Sequence, residues 1–158
     1  MTILVLAVVA VCFQALSHWG KTHAFMVNES ESLPNWAFIV ESGKAPARGD
    51  YVVFAPGHDP LVTKYFGENP PAFAKIALGV AGDVVTRNGR DVLINGHRVA
   101  STKPRARLGD VLAVGPTGVI PAGCVYAGSG HKDGFDSRYA AIGFVCRDRL
   151  AGVGRPIL

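Results

Sequence analysis

Two Asn-Gly pairs, Asn88-Gly89 and Asn95-Gly96, stand seven residues apart, and each is flanked by alternating polar and apolar residues. A tight turn between antiparallel strands needs positive φ angles at its centre, which Asn and Gly adopt more readily than other residues. The stretch Gly82–Val99 therefore predicts a three-stranded meander. With 19 Gly and 10 Pro, the chain also favours short strands joined by turns over a helical bundle.

Short apolar runs elsewhere in the chain predict further strands, because each is bounded by Gly, Pro or Asp. Together with the meander they predict a mainly β domain, folded as a compact barrel or a folded sheet. The stretch His58–Pro71 is rich in Pro, Gly and charge and predicts a loop. The predicted strands are Trp36–Val40, Tyr51–Phe54, Phe73–Val80, Asp110–Val114, Gly118–Ile120, Cys124–Ala127 and Ala141–Val145.

The chain begins with an apolar segment, because Thr2–Leu16 contains no charged residue. Extended to Gly20, the run has about nineteen residues, which is enough for a transmembrane helix, and Trp19 and Lys21 suit its interfacial end. We therefore predict an N-terminal membrane anchor at residues 1–24 and one domain at residues 25–158. A secretory signal cleaved after Ala15-Leu16-Ser17 is the alternative interpretation.

Composition argues against several classes of function. The net charge is only +4, and the Lys and Arg residues are scattered, so we expect no binding of nucleic acid. Neither HExxH nor CxxC occurs, and the five His residues lack metal-ligand spacing, so we expect no metal and no cofactor. Cys124 and Cys146 are either a disulfide on an exported face or two buried thiols, and the sequence leaves both open.

Three segments carry side chains that suit catalysis. They are Ser30–Pro34 just after the apolar run, Lys75 inside the apolar stretch Phe73–Val80, and Asp133–Tyr139 near the end. Taken singly, each has an ordinary structural explanation: a turn, a lysine that reaches solvent, and a surface ion pair. Their order along the chain is more informative than any one of them.

That order resembles the type I signal peptidases, and within them the short TraF-type peptidases of conjugative transfer. The resemblance extends over nearly the whole chain. It departs from the family pattern after Pro34, where Asn35-Trp36 replaces the usual Gly and Tyr, and after Tyr139. The matching positions are Asn28, Ser30, Ser32 and Pro34, then Lys75, Gly82 and Asp83, then Leu93–Gly96, and finally Gly130 with Phe135–Tyr139.

The resemblance implies a serine peptidase with a Ser–Lys dyad. Ser32 is then the nucleophile and Lys75 its general base, while the Ser30 hydroxyl helps to bind the oxyanion and Asp136 and Arg138 support the site. The chemistry is consistent, because burial among apolar side chains lowers the pKa of a lysine and leaves a neutral amine to accept the serine proton. From composition alone, a Ser–His–Asp triad that uses His58, His97 or His131 is the alternative.

These expectations define a membrane-anchored serine endopeptidase that processes a secreted or membrane-tethered precursor. By resemblance, the precursor is a pilin that is matured or cyclised for conjugative transfer, and the enzyme lies in the bacterial inner membrane with its catalytic domain on the periplasmic side. Its partners would be that precursor and the lipid bilayer. A general leader peptidase and a non-catalytic β-domain scaffold of a transfer apparatus are the alternatives.

Overall fold

The computed structural model describes residues 2–157, and strands dominate it, as the sequence predicted. Within these residues, two helices and eleven strands alternate without a repeated unit. In chain order they are α1 Thr2–Trp19, β1 His23–Val27, β2 Ala37–Glu41, β3 Tyr51–Phe54, α2 Pro60–Phe66, β4 Phe73–Val80, β5 Val84–Asn88, β6 Asp91–Ile94, β7 His97–Ser101, β8 Gly118–Val119, β9 Cys124–Gly128, β10 Val145–Cys146 and β11 Leu150–Pro156.

The larger sheet has seven antiparallel strands in the order β1-β2-β11-β3-β4-β9-β10. Its central strands are buried on both faces, so they consist of nearly continuous apolar residues. One face packs around Val52, Phe54 and Phe73. The other packs around Phe38 and Val53. Strand β4 therefore lies in the middle of the core, and any polar side chain on it is buried.

The smaller sheet has the order β7-β6-β5-β8 and contains the predicted meander. Asn95 and Gly96 occupy the two loop positions of the second turn, with φ angles of 51° and 81°. The first turn differs by one residue, because Asn88 still pairs with Asp91 and Gly89 opens the loop with a φ of 57°. Glycine at the first loop position suits the type II′ turn, which explains the shift.

Two predicted strands are largely absent, and the sheets do not close into a barrel. The stretch Asp110–Val114 makes only isolated bridges, from Val111 and Val114. Of Ala141–Val145, only Val145 lies in a strand. The preceding residues form a turn in which Gly143 donates its N–H to the carbonyl of Tyr139, so their apolar side chains are buried from a loop. The described strands form two sheets with open edges.

Helix α2 lies inside the stretch His58–Pro71 that the sequence predicted to be a loop. Its local signals are nevertheless clear. The Asp59 carboxylate caps the helix by accepting the N–H of Leu61 at 2.9 Å, Pro60 stands in the first turn, and Gly67 ends the helix with a φ of 88°. Proline is favoured at the start of a helix and glycine just after its end. The prediction was wrong because it read these residues as turn formers.

The N-terminal segment is helical, but the prediction of a transmembrane helix lacks support. Helix α1 ends at Trp19, and β1 begins at His23 and pairs with β2 over its whole length. Among residues 2–157, no helix is both long enough and apolar enough to cross a bilayer.

Cys124 and Cys146 form a disulfide between β9 and β10, where they are directly paired. The bridge closes a loop whose ends are 22 residues apart in sequence and which contains the segment Asp133–Tyr139. A crosslink of this kind restricts the unfolded chain, and the loop-entropy estimate for this length is about 3 kcal/mol.

We predict that the double variant Cys124→Ala/Cys146→Ala loses about 3 kcal/mol of unfolding free energy. Urea unfolding of the oxidised wild type and of the variant measures the difference. The wild type treated with dithiothreitol serves as the control and should unfold close to the variant. Equal midpoints for the variant and the oxidised wild type would contradict the prediction.

Candidate active site

Ser32 lies in the loop between β1 and β2, and a single amide side chain fixes that loop. The Asn28 side-chain oxygen accepts the backbone N–H of Ser30 at 3.2 Å and its hydroxyl at 2.8 Å. The Asn28 amide nitrogen donates to the carbonyls of Ser30 at 3.0 Å and of Asn35 at 2.9 Å. An Asn side chain that bonds the backbone two residues on stabilises a tight turn. This turn holds Ser32 over the sheet.

Lys75 is the third residue of β4, and its side chain extends towards Ser32. Its Nζ donates to Ser32 Oγ at 2.8 Å. The lysine is only 5% exposed, it pairs with Val52 on β3, and its Nζ lies 5.6 Å from the centre of the Phe73 ring. Burial lowers the pKa of Lys75 below 10.5, and the Asp136 carboxylate opposes that shift. The neutral amine is thus more accessible here than on the protein surface.

Ser30 completes a chain of polar side chains beside the lysine. Its Oγ is 2.8 Å from Ser32 Oγ and 2.8 Å from the Asn28 oxygen. Because that amide oxygen can only accept, Ser30 donates to it and Ser32 donates to Ser30. For Ser32 to be activated, its proton must turn from Ser30 towards Lys75 Nζ. A hydroxyl rotates easily, so this change needs no movement of the backbone.

Asp136 and Arg138 form a buried ion pair close to the lysine. They are 0% and 2% exposed, and the guanidinium donates hydrogen bonds to both carboxylate oxygens, at 2.8 and 2.9 Å. Arg138 also donates to the carbonyls of Ser129 at 2.6 Å and of His131 at 3.2 Å. Burial raises the pKa of Asp136, and Arg138 opposes that shift. The pair therefore fixes the loop after β9 from inside.

A cleft of about 530 Å³ opens over Ser32 and Lys75. One wall comes from the end of β1 and the loop after it, a second from the approach to β4, and a third from the loop after β9. Most of the cleft surface is apolar, so the serine and the lysine form a polar centre within it. The lining residues are Met26, Val27, Asn28, Glu29, Ser30, Glu31, Ser32, Phe66, Pro71, Ala72, Phe73, Ala74, Lys75, His131, Asp133, Gly134 and Phe135.

The structure brings Ser32, Lys75 and Ser30 into one hydrogen-bonded group, while Asp136 and Arg138 bond to each other and to the backbone. Asp83, which the resemblance also singled out, lies apart. Its carboxylate accepts from Arg48 at 2.6 Å, from the Val80 N–H at 2.7 Å and from Asn95 at 2.8 Å. These contacts join the meander to the larger sheet, which is a structural role.

The histidine alternative has no geometric support within residues 2–157. The hydrogen bonds of Ser32 there go to Ser30 and Lys75 and to no histidine. His131 lines the cleft, but its Nδ1 accepts the backbone N–H of Asp133 at 3.2 Å. In the same part of the chain, no group of three or more His, Cys, Asp or Glu side chains is arranged to hold a metal ion.

Sequence reasoning assigned no role to two residues that shape this site. Asn28 was noted only as part of a motif, although its place two residues before a serine is typical of an Asx turn and could have revealed its function. The other residue is Ser129, which no motif in the sequence singles out. Its burial follows from strand pairing, for which the sequence gives no signal.

Comparison with known proteins gives matches over most or all of the chain. The family model described as "Signal peptidase, peptidase S26" matches residues 1–158. The curated conjugal transfer protein TraF of Agrobacterium fabrum is 28% identical over 151 residues, which cover 87% of this chain and 84% of that protein. The family match includes the segments that contain Ser32, Lys75 and Asp136.

We predict that the change in unfolding free energy caused by Lys75→Met is more favourable at pH 7 than at pH 10.5. Because the pKa of Lys75 is lowered on folding, the unfolded chain binds more protons, so wild-type stability rises with pH up to about 10.5. Methionine does not titrate, so the variant lacks this rise in stability. The rise amounts to about 1.4 kcal/mol for each unit by which folding lowers the pKa of Lys75. Urea unfolding of both proteins at pH 7 and pH 10.5 measures it. A pH-independent difference would contradict the prediction.

Proposed function

We propose a function from the premise that this chain belongs to the signal peptidase family, peptidase S26. It is a serine endopeptidase in which Ser32 is the nucleophile and Lys75 the general base. One observation carries the proposal: a lysine that is 5% exposed lies 2.8 Å from a serine hydroxyl at the base of a cleft. Burial supplies the neutral amine that this chemistry needs.

In the first step, Lys75 Nζ accepts the Ser32 proton as Oγ attacks the carbonyl carbon of the scissile peptide. The resulting ammonium gives that proton to the leaving amine when the C–N bond breaks, which leaves an acyl ester on Ser32. A water molecule then attacks the ester, and the neutral amine of Lys75 accepts one of its protons. Return of that proton to Ser32 Oγ releases the new carboxyl end and restores the dyad.

The oxyanion that forms in each step needs hydrogen-bond donors aimed at it. The backbone N–H of Ser32 and the hydroxyl of Ser30 are the donors that we propose. In the resting structure, Ser30 donates to Asn28 instead. Its hydroxyl must turn to the substrate when the negative charge develops, and Asn28 keeps the Ser30 backbone in place while it does so.

The cleft suits an extended peptide. Strand β1 is an edge of the larger sheet, and the walls beside it are apolar, so a substrate strand can bind along the cleft through backbone hydrogen bonds and small pockets. Asp136 and Arg138 act indirectly in this scheme. They hold the loop that forms the third wall. The Asp136 carboxylate also favours the charged form of Lys75, and the Arg138 guanidinium opposes that effect.

We propose that the substrate is a membrane-tethered pilin precursor, which is matured for conjugative transfer. Similarity to a protein described as a conjugal transfer protein supports this choice over a general leader peptidase. Cyclisation fits the same site, because the amino end of the precursor can attack the acyl ester in place of water. The enzyme would act on the periplasmic face of the inner membrane.

Residues 1–24 would keep the catalytic domain, residues 25–158, at the bilayer. The support lies in the exposed apolar side chains of α1, such as Phe13 at 70% and Leu16 at 66%, and of the adjoining strand, where Phe25 is 62% exposed. Within residues 2–157, the rest of the chain leaves these side chains exposed, and a lipid surface can cover them. The two partners of the enzyme would then be this lipid surface and the tethered precursor, which is the substrate.

We predict that co-expression with the pilin-like precursor encoded nearby yields a shortened product, measured by intact mass. Ser32→Ala and Lys75→Met should abolish the product while both proteins remain folded. The matched controls are Ser42→Ala and Lys44→Met, since both side chains are exposed and lie outside the cleft. A product lighter by one further water would indicate joined ends.

An unchanged precursor with folded wild-type protein would contradict the pilin assignment. A general signal-sequence substrate, tested next, then separates a leader peptidase from a non-catalytic scaffold. Cleavage that survives in Ser32→Ala would refute the dyad itself.

We predict that kcat/KM falls about tenfold for each pH unit below the pKa of Lys75, since the protonated lysine cannot accept the serine proton. The limb should lie at lower pH than 10.5, because burial lowers the pKa of Lys75. Lys75→Arg keeps the positive charge but cannot deprotonate, so it should lose activity by about 10²–10⁴-fold. A pH profile of peptide cleavage measures both, and an active arginine variant would exclude lysine as the base.

A further inference from the structure

Ser129 is a buried serine whose hydroxyl makes no hydrogen bond within residues 2–157. The residue is 1% exposed and follows the last residue of β9. Its backbone is fully engaged, since its N–H donates to Asp136 at 3.2 Å and its carbonyl accepts from Arg138 at 2.6 Å. A buried hydroxyl without a partner costs about 1–3 kcal/mol. Alanine would therefore be the more stable residue at this position.

The register of β4 and β9 places Ser129 opposite Lys75. Ile76 pairs with Gly128 and Ala77 with Ala127, so the antiparallel pairing continued by one residue joins Lys75 to Ser129. The N–H and carbonyl of Ala127 bond to Ser137 and not to β4, which makes the pair with Ala77 a non-hydrogen-bonded one.

Such pairs alternate along an antiparallel ladder, so Lys75 and Ser129 also form a non-hydrogen-bonded pair. The backbone bonds of Ser129 to Asp136 and Arg138 agree with this assignment. Residues paired in this way share one face of the sheet and have Cα atoms about 4.5 Å apart, closer than in the alternate pairs. The two side chains therefore start from neighbouring positions on the same face.

The other side chains beside Lys75 on its own strand and on β3 are apolar. Val52 lies opposite on β3, and Phe73 and Ala77 precede and follow it on β4. A neutral amine has one lone pair and two N–H groups. For proton transfer the lone pair must point at the Ser32 hydroxyl, so an N–H group needs an acceptor elsewhere to fix the rotation of the amine. Ser129 is the cross-strand neighbour that offers one.

Space for the Ser129 hydroxyl comes from Gly134. A Cβ at that position would stand 2.7 Å from Ser129 Oγ and 2.8 Å from an oxygen of Asp136, so only glycine leaves this gap open. A hydroxyl accepts and donates at once. In the resting structure Ser129 Oγ bonds to neither Asp136 nor Lys75. The Ser129 side chain must therefore rotate across this gap for its hydroxyl to donate to Asp136 and accept from the lysine.

We propose that Ser129 is a positioning residue for the general base. Its Oγ accepts a hydrogen bond from Lys75 Nζ and donates to the carboxylate of Asp136, and this link aims the lone pair of the amine at Ser32. The role rests on the proposed function, since it has a purpose only if Lys75 is the base. It also connects the Asp136–Arg138 pair to the dyad through hydrogen bonds, whereas the direct contacts of the pair do not reach Ser32 or Lys75.

Ser129→Ala tests the link. Loss of the positioning bond should lower kcat about 10- to 100-fold with little change in KM, while the thermal midpoint stays equal or rises, because the unpaired hydroxyl is gone. Since the ammonium form also loses an acceptor, the pKa of Lys75 should fall, and the acid limb of the rate profile should move to lower pH. Ser42→Ala, at an exposed serine, should change neither.

The pKa of Lys75 can also be followed without any substrate, by titrating protein with ¹³Cε-labelled lysine in the wild type and in Ser129→Ala. The resonance of Lys75 is the one that Lys75→Met lacks. Other charged groups that face the lysine are the same in both proteins, so they cancel in the comparison. They are Asp136 and Arg138 inside the domain, and Glu29, Glu31, His131 and Asp133 in the cleft.

The outcomes separate the two proposals. If wild type cleaves and Ser32→Ala does not, but Ser129→Ala matches wild type in kcat and in the Lys75 titration, the positioning role is wrong and the dyad stands. If wild type cleaves nothing, the proposed function fails, and the titration alone decides whether Ser129 contacts the lysine. A lower kcat with a lower thermal midpoint and an unmoved Lys75 titration would mark Ser129 as merely structural.

Discussion

The burial of one amine governs the architecture of this site. Lys75 stands in the middle of the larger sheet, where a charged group loses most of its hydration and the neutral form gains by comparison. An isolated lysine at this depth would only destabilise the fold. It becomes useful because the loop after β1 brings Ser32 to within 2.8 Å of it. Destabilisation of the ammonium and activation of the serine are therefore two results of the same desolvation.

Two independent devices hold the walls around that amine. On one side, the Asn28 amide makes four hydrogen bonds and fixes the loop that contains Ser32. On the other side, the Asp136–Arg138 pair organises the loop after β9 from within, and the bridge from Cys124 closes that loop at its base. These two sets of contacts share no residue, so each wall of the cleft is held by contacts of its own.

Local signals in the sequence predicted the elements they encode, and long-range pairing escaped them. Tyr51–Phe54 and Phe73–Val80 are strands with the predicted bounds, and Asn95-Gly96 forms the predicted turn. By contrast, β11 was missed, because its place between β2 and β3 depends on pairing with residues about a hundred positions earlier. Asp110–Val114 has the composition of a strand, but within residues 2–157 it pairs only through isolated bridges, to Arg105 and to Tyr139.

The candidate site shows the same division. Resemblance to a family pointed to Ser32, Lys75 and Asp136, and the physical reason for the lysine followed from its apolar neighbours. Ser129 could not be found in this way, because Gly128-Ser129-Gly130 has the composition of any exposed turn. Only the register of β4 against β9 places it beside the amine, and only its burial shows that its hydroxyl is unpaired. The hydrogen bond that we propose between Ser129 and Lys75 would remove this cost.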